Sequence, residues 1–152
     1  MKLTIADKRL LETLGENARI SWVQLAERVN LSASACQRRV ESMLSSGLIR
    51  KFTVDIDAES LGQAVTSIIS VKVERQAVAR ANAFRDTVAT YPEVRNFYKL
   101  SGSVDYMLTV TAPDIRALSD FIDNKLLAID GVVDASSAIV LDDLPCHYKP
   151  FA

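Results

Sequence analysis

Glycine, proline, cysteine and histidine are all scarce in this 152-residue chain, at five, four, two and one. So little Gly and Pro excludes a collagen-like or low-complexity segment, and a composition 49% hydrophobic and 24% charged excludes a disordered tail. What is left is an ordinary globular chain of one domain or two small ones. No apolar run approaches the roughly 20 residues of a membrane span. Asp7, Lys8 and Arg9 also stand where a signal peptide keeps its apolar stretch, so the chain reads as cytoplasmic. Cys36 and Cys146 are too few and too distant for a disulfide framework, and they lack the CxxC spacing of a zinc site.

Catalytic machinery is missing as well. His147 follows Cys146 directly, and neighbours on an extended chain point to opposite sides, which makes a Cys-His nucleophile pair geometrically poor. Pro145, Lys149 and Pro150 around them mark residues 145–152 as a tail. There is no GxGxxG, no Walker loop and no His/Cys cluster at metal spacing. The expectation is a protein that is not an enzyme, with no catalytic residue, no metal site and no cofactor.

Acid and base nearly balance over the whole chain, at a net charge of -1, but not locally. Residues 1–54 hold nine Lys and Arg against five acids, an excess of four positive charges, while the remainder holds nine against fourteen. A basic head on an acidic body is expected where only the head meets a polyanion, although two solvated surfaces with a chance imbalance would look the same.

Three helices with start signals fit into the head. Thr4-Ile5-Ala6-Asp7 has the form of a capping box and opens a segment whose Leu10, Leu11 and Leu14 share a face before Gly15. Ser21-Trp22-Val23-Gln24 repeats the device, followed by Trp22, Leu25, Ala26 and Val29 as one apolar stripe, with Asn30 as a left-handed terminator. Ser32 caps the third helix, Leu31 and Cys36 can form a hydrophobic staple, and Gly47 closes it. Only Val29-Asn30-Leu31 separates the second helix from that cap, the tight spacing of a helix-turn-helix.

Winding the third helix at about 100° per residue groups Cys36, Val40, Met43 and Leu44 on one face and sets Arg38 almost opposite. Ser34, Glu41 and Ser45 accompany Arg38, with Gln37 and Arg39 on the flanks. A solvated helix would show the same periodicity. The N-terminal position of these residues turns the reading toward DNA, because recognition helices enter the major groove by their first turns. Arg and Gln are moreover suited to guanine and adenine edges. The candidate DNA contacts are Ser32, Ser34, Ala35, Gln37, Arg38 and Arg39. Leu48 to Val54 then alternates like a short strand, a wing whose Arg50 and Lys51 would lie along phosphates; an exposed linker strand is the alternative.

From Ala64 onward strands alternate with helices, placing a boundary near residues 57–63 between a head over 1–60 and a body over 64–144. Strands are expected over Ala64–Val73, Val94–Ser101, Tyr106–Thr111 and Val132–Leu141. Helices are expected over Gln76–Thr90, ended by Pro92, and after Pro113-Asp114, with Ile115, Leu118, Ile122, Leu126 and Ile129 as its stripe. The order is β-α-β-β-α-β, a ferredoxin-like α+β sandwich with both helices on one sheet face. The strands carry apolar residues on both sides, Ile68, Phe97, Met107, Ala138 and Val140 against Ile69, Tyr98, Leu108, Ile139 and Leu141. A bare apolar face asks for a partner, and a dimer through the sheet is expected.

Asp7-Lys8-Arg9-Leu10-Leu11, Asn17-Ala18-Arg19-Ile20-Ser21, Leu25-Ala26-Glu27-Arg28-Val29, the run from Leu31 to Val40 and Gly47-Leu48-Ile49 resemble the Lrp/AsnC, or feast/famine, transcriptional regulators. Ser101-Gly102-Ser103-Val104-Asp105-Tyr106 is similar to that family's Gly-x-x-Asp-Tyr signature, so the resemblance covers nearly the whole chain. It implies a winged helix-turn-helix joined to a RAM, or ACT-like, sensing domain. It also implies dimers that assemble into octamers, a near-palindromic double-stranded DNA operator, and an amino acid or related effector bound between subunits. Carried over by motif, the effector residues are Leu100, Gly102, Ser103, Val104, Asp105 and Tyr106 with Ser136, Ser137, Ile139 and Val140. Asp105 could meet an ammonium and the hairpin amides a carboxylate, while the plain alternative is that Gly102 and Asp105 only build the turn. Ser103-Val104 replaces the acidic or Gly residue that members commonly carry after the motif glycine. A stand-alone amino-acid-binding protein without DNA binding is the other reading of such a chain.

Overall fold

The computed structural model describes residues 3–74 and 78–144, which form two units, 3–55 and 56–144. The tail with Cys146 and His147, and the expected helix start at Gln76, lie outside the described residues.

The first unit holds α1 (Ile5–Glu16), α2 (Trp22–Val29) and α3 (Ala33–Ser45). Each begins at the cap its sequence announces. The Thr4 and Ser21 hydroxyls accept the N–H three residues on while Asp7 and Gln24 reach back, and Ser32 accepts from Ala35. These contacts satisfy N–H groups that a helix start leaves without intrahelical partners. Leu10, Leu14, Leu25, Ala26, Val29, Cys36, Val40 and Met43 form the core, with Leu31 packed against it. Asn30 adopts φ 56°, ψ 51°, the left-handed conformation that lets the chain turn from α2 into Ser32.

Two apolar residues leave the faces expected of them. Trp22, at the first position of α2, is 40% exposed, and Leu44 is exposed beside buried Met43. The strand expected over Leu48–Val54 is not formed. Residues 50–57 run irregularly, and among the described residues no strand pairs with them, so the apolar Phe52 and Val54 remain exposed.

In the second unit a 3-10 turn (Glu59–Leu61) leads into β1 (Val65–Val73), α4 (Val78–Val88), β2 (Val94–Lys99), β3 (Tyr106–Ala112), α5 (Ile115–Asp120) and β4 (Val132–Ile139). The α5 helix continues as a π turn over Phe121–Leu126. The sheet order is β2-β3-β1-β4 with every neighbour antiparallel, the ferredoxin-like arrangement. Phe84 and Val88 of α4 and Leu118, Phe121 and Leu126 of α5 and its π turn cover one face, against Ile69, Val71, Tyr106, Leu108 and Val110.

The pairing corrects the assignment of faces in β2. Phe97 lies opposite Leu108 on the covered face, with its ring 5.9 Å from Phe84 and 5.3 Å from Tyr106, and Tyr98 lies opposite Met107 on the open one. On that open face Ser70 sits between Met107 and Ser136, and Ile68 between Thr109 and Ala138. Ile139 pairs with Ser67 and belongs to the covered side, yet it is half exposed. Gly131 enters β4 at φ +88°, where a Cβ would stand 3.4 Å from the Arg80 side chain.

Candidate functional site

The first candidate surface is α3. Ser34, Gln37 and Arg38 are exposed on its first turns, opposite the buried Cys36, Val40 and Met43, as helical periodicity requires. The Ser32 and Ser34 hydroxyl oxygens lie 3.2 Å apart, and Ala35 is half-buried. Gln37 Nε2 donates to Glu41 Oε1 at 2.9 Å, one turn on, which orients the amide along the helix. Arg50 and Lys51 are exposed.

Arg39, on the flank of this group, is half-buried and tied to α1. Its guanidinium donates to Asp7 Oδ1 of α1 at 2.7 Å, with side-chain exposures of 37% and 8% for the pair. Asp7 Oδ2 in turn accepts from the Thr4 N–H at 2.8 Å and the Thr4 hydroxyl at 2.6 Å. Burial alone would raise the Asp7 pKa, but the Thr4 hydroxyl, the Thr4 N–H and the Arg39 guanidinium outweigh it and hold the carboxyl below its ordinary value. Such a group stabilises the fold above its unfolded value of about 4 and loses that contribution as pH falls through the lower folded value. The melting temperature of the chain should therefore fall below about pH 4, and Asp7→Asn should flatten that acid limb. An unchanged limb in the variant would assign the loss to other carboxylates. Sequence spacing pointed to Asp7 as a cap but gave no signal of its long-range partner.

The second candidate surface is the hairpin between β2 and β3. The Leu100 N–H donates to the Asp105 carbonyl at 2.8 Å, and the Asp105 N–H donates to the Val71 carbonyl at 3.0 Å. Asp105 Oδ2 accepts the Val73 N–H at 3.1 Å, fastening the hairpin to the end of β1. Gly102 and Ser103 are exposed at the tip, Val104 and Leu100 half-buried. Tyr106 is buried, its ring 4.9 Å from Phe84.

Ile139 and Val140 do not join this loop within one chain, whereas Ser136 and Ser137 pair with Ser70 and Ile69, nearer the end of β1 that holds it. The loop is tied to Val71 and Val73, whereas Ile139 pairs with Ser67 and Val140 donates to the Thr66 carbonyl at 2.9 Å. Four residues of β1 separate Val71 from Ser67, about 13 Å. Ser136 lies on the open face, Ser137 opposite Ile69 on the covered one. Among the described residues no group of three potential metal ligands is found, and no helix is long and apolar enough to cross a membrane.

The family model for a winged helix-turn-helix DNA-binding domain matches residues 3–50, and that for the Lrp/AsnC ligand-binding domain matches residues 66–149. The Bkd operon transcriptional regulator of Pseudomonas aeruginosa is 31% identical over 144 residues, 95% of this chain and 94% of that one. The chain belongs to the Lrp/AsnC family of transcriptional regulators. Its Lrp/AsnC relatives include the leucine-responsive regulatory protein of Rhizobium meliloti, 33% identical over 87% of this chain and 85% of that one. The crystal structure of a Neisseria meningitidis transcriptional regulator in complex with L-Met is similar at a TM-score of 0.89 and 34% identity, covering 95% of this chain and 94% of that chain. Escherichia coli AsnC is similar at a TM-score of 0.86 and 25% identity, over 99% and 100%.

Proposed function

We propose that α3 of this Lrp/AsnC regulator reads an operator in the major groove through Arg38 and Gln37, with Ser32, Ser34 and Arg39, and Arg50 and Lys51 after the helix, placed on phosphates and sugar, and the small Ala35 letting the helix approach the DNA. The observation that carries the reading is the outward Arg38 on the first turns of a capped helix whose opposite face is packed. Phosphate contacts position without reading sequence, and a head with four excess positive charges releases counterions on binding. Affinity for a duplex selected from a random pool should fall steeply with salt. Lys51→Ala should weaken binding to all sequences alike and reduce the salt slope by ~1. A flat salt response would count against the DNA reading.

The body carries the sensing role in this reading. The effector is a small molecule of the amino-acid class, consistent with the methionine bound by the similar Neisseria regulator. A second copy turned about a two-fold axis completes the pocket, bringing the Gly102–Asp105 loop of one subunit toward the last strand of its partner. That reading is supported by the distance of Ile139 and Val140 from the loop in one chain and by the open sheet face, where Ile68 and Tyr98 are exposed. A two-fold dimer presents two copies of α3, which calls for near-palindromic operators with half-sites ~10 base pairs apart or a multiple. Dimers assembling to an octamer in the cytoplasm complete the proposal. Melting curves against the amino acids test it, since a ligand of the native state raises the transition.

A further inference from the structure

We infer that Asp7, on α1 and outside the face that meets DNA, is a positioning residue for DNA binding: it holds the Arg39 guanidinium at the flank of α3, where the donors turned outward meet a backbone phosphate. The inference rests on the DNA reading above and adds a residue to it.

Asp7 is buried, and its Oδ2 is fixed by two bonds from Thr4, a residue itself set by the start of α1. Its other oxygen therefore sits at a fixed point, 2.7 Å from one guanidinium nitrogen of Arg39. An Arg carries five N–H donors in a rigid planar fork, so anchoring one arm fixes the direction of the rest. The Arg39 side chain is 37% exposed, on the flank of α3 next to Arg38 and across from Gln37. A guanidinium pre-set in this way loses less freedom when it meets a phosphate than a freely rotating one would.

Electrostatics alone makes the opposite prediction, and this separates the two. Asp7→Asn removes a negative charge from an already basic head, which by charge counting strengthens attraction to DNA. Positioning predicts a several-fold loss. The measurement is the affinity of the full chain for a duplex that the unmodified protein selects from a random pool, at one fixed salt concentration and well below both melting temperatures. Arg39→Ala should weaken binding uniformly across sequences and lower the salt slope by ~1, and Asp7→Asn should weaken it without changing the preferred sequence. Should Asp7→Asn fail to fold, Arg39→Lys serves: it keeps the charge and can still reach Asp7 but has no rigid fork, and it too should bind several-fold more weakly. An unmodified protein that selects no duplex overturns the DNA reading and this inference together. A protein that selects one, with Asp7→Asn binding as tightly or more tightly, overturns the inference alone, as does Arg39→Lys at full affinity where Asp7→Asn does not fold.

Discussion

Arg38→Ala should lower affinity for the selected duplex by ~5- to 150-fold, about 1–3 kcal/mol, and broaden the set of sequences bound, while the melting temperature stays where it was. The two halves of this expectation come from opposite faces of one helix. Cys36, Val40 and Met43 are packed into the head, and Arg38 is exposed on the other side, so truncating it empties no cavity. A bidentate contact to a guanine edge, by contrast, is lost with the guanidinium, and discrimination at that base goes with it. Lys51→Ala is the control, because a phosphate contact weakens binding without altering preference. The check is a repeated selection with each variant beside a titration of labelled duplex. A fallen melting temperature with unchanged preference would place Arg38 in the fold and not at the groove.

What was legible in the sequence was local. The caps at Thr4, Ser21 and Ser32 need only residues three apart, and the turn at Asn30 needs one residue that tolerates the left-handed region. The order of strands and helices was equally readable, because turn residues and changes of period separate them. What failed needed a partner. The alternation from Leu48 to Val54 is that of a strand, but a strand exists only against a ladder, and none of the described residues supplies one. Phe97 and Tyr98 are both aromatic, so alternation within β2 could not say which faced the helices. The register with β3 decides it, and that register slips between Val94 and Asn96. In the second body helix the expected stripe assumed an unbroken α period. The π turn at Phe121–Leu126, with the Leu127 N–H bonding back to the Ile122 carbonyl, shifts the phase and buries Phe121, while Ile115 is exposed. The Asp7–Arg39 pair was invisible for the simplest reason: 32 residues separate its members.

Asp105 is where the turn and the pocket make different demands, and two substitutions pull them apart. Asp105→Ala deprives the Val73 N–H of its acceptor at the junction of hairpin and β1. Leaving such a donor unmatched costs ~1–3 kcal/mol, and at ~4–8 °C per kcal/mol for a domain of this size the melting temperature should fall visibly. Asp105→Asn keeps a side-chain oxygen for Val73, removes the charge and turns the second oxygen into an NH2 donor, so its melting temperature should stay above that of Asp105→Ala. In the proposed pocket the Asp105 carboxylate accepts from an amino acid's ammonium as well as from the Val73 N–H. The effector response should then vanish in Asp105→Asn although the fold is intact, because a neutral amide gives an ammonium no counter-charge in the proposed site between subunits. Melting curves of the three proteins, each with and without the amino acid that shifts the parent, decide between the roles. An Asp105→Asn protein that responds like the parent would leave Asp105 as a brace for the hairpin and move the ammonium site elsewhere. One that melts as low as Asp105→Ala would mean that the Val73 contact depends on the charge, and the hairpin and the pocket would share a single cause.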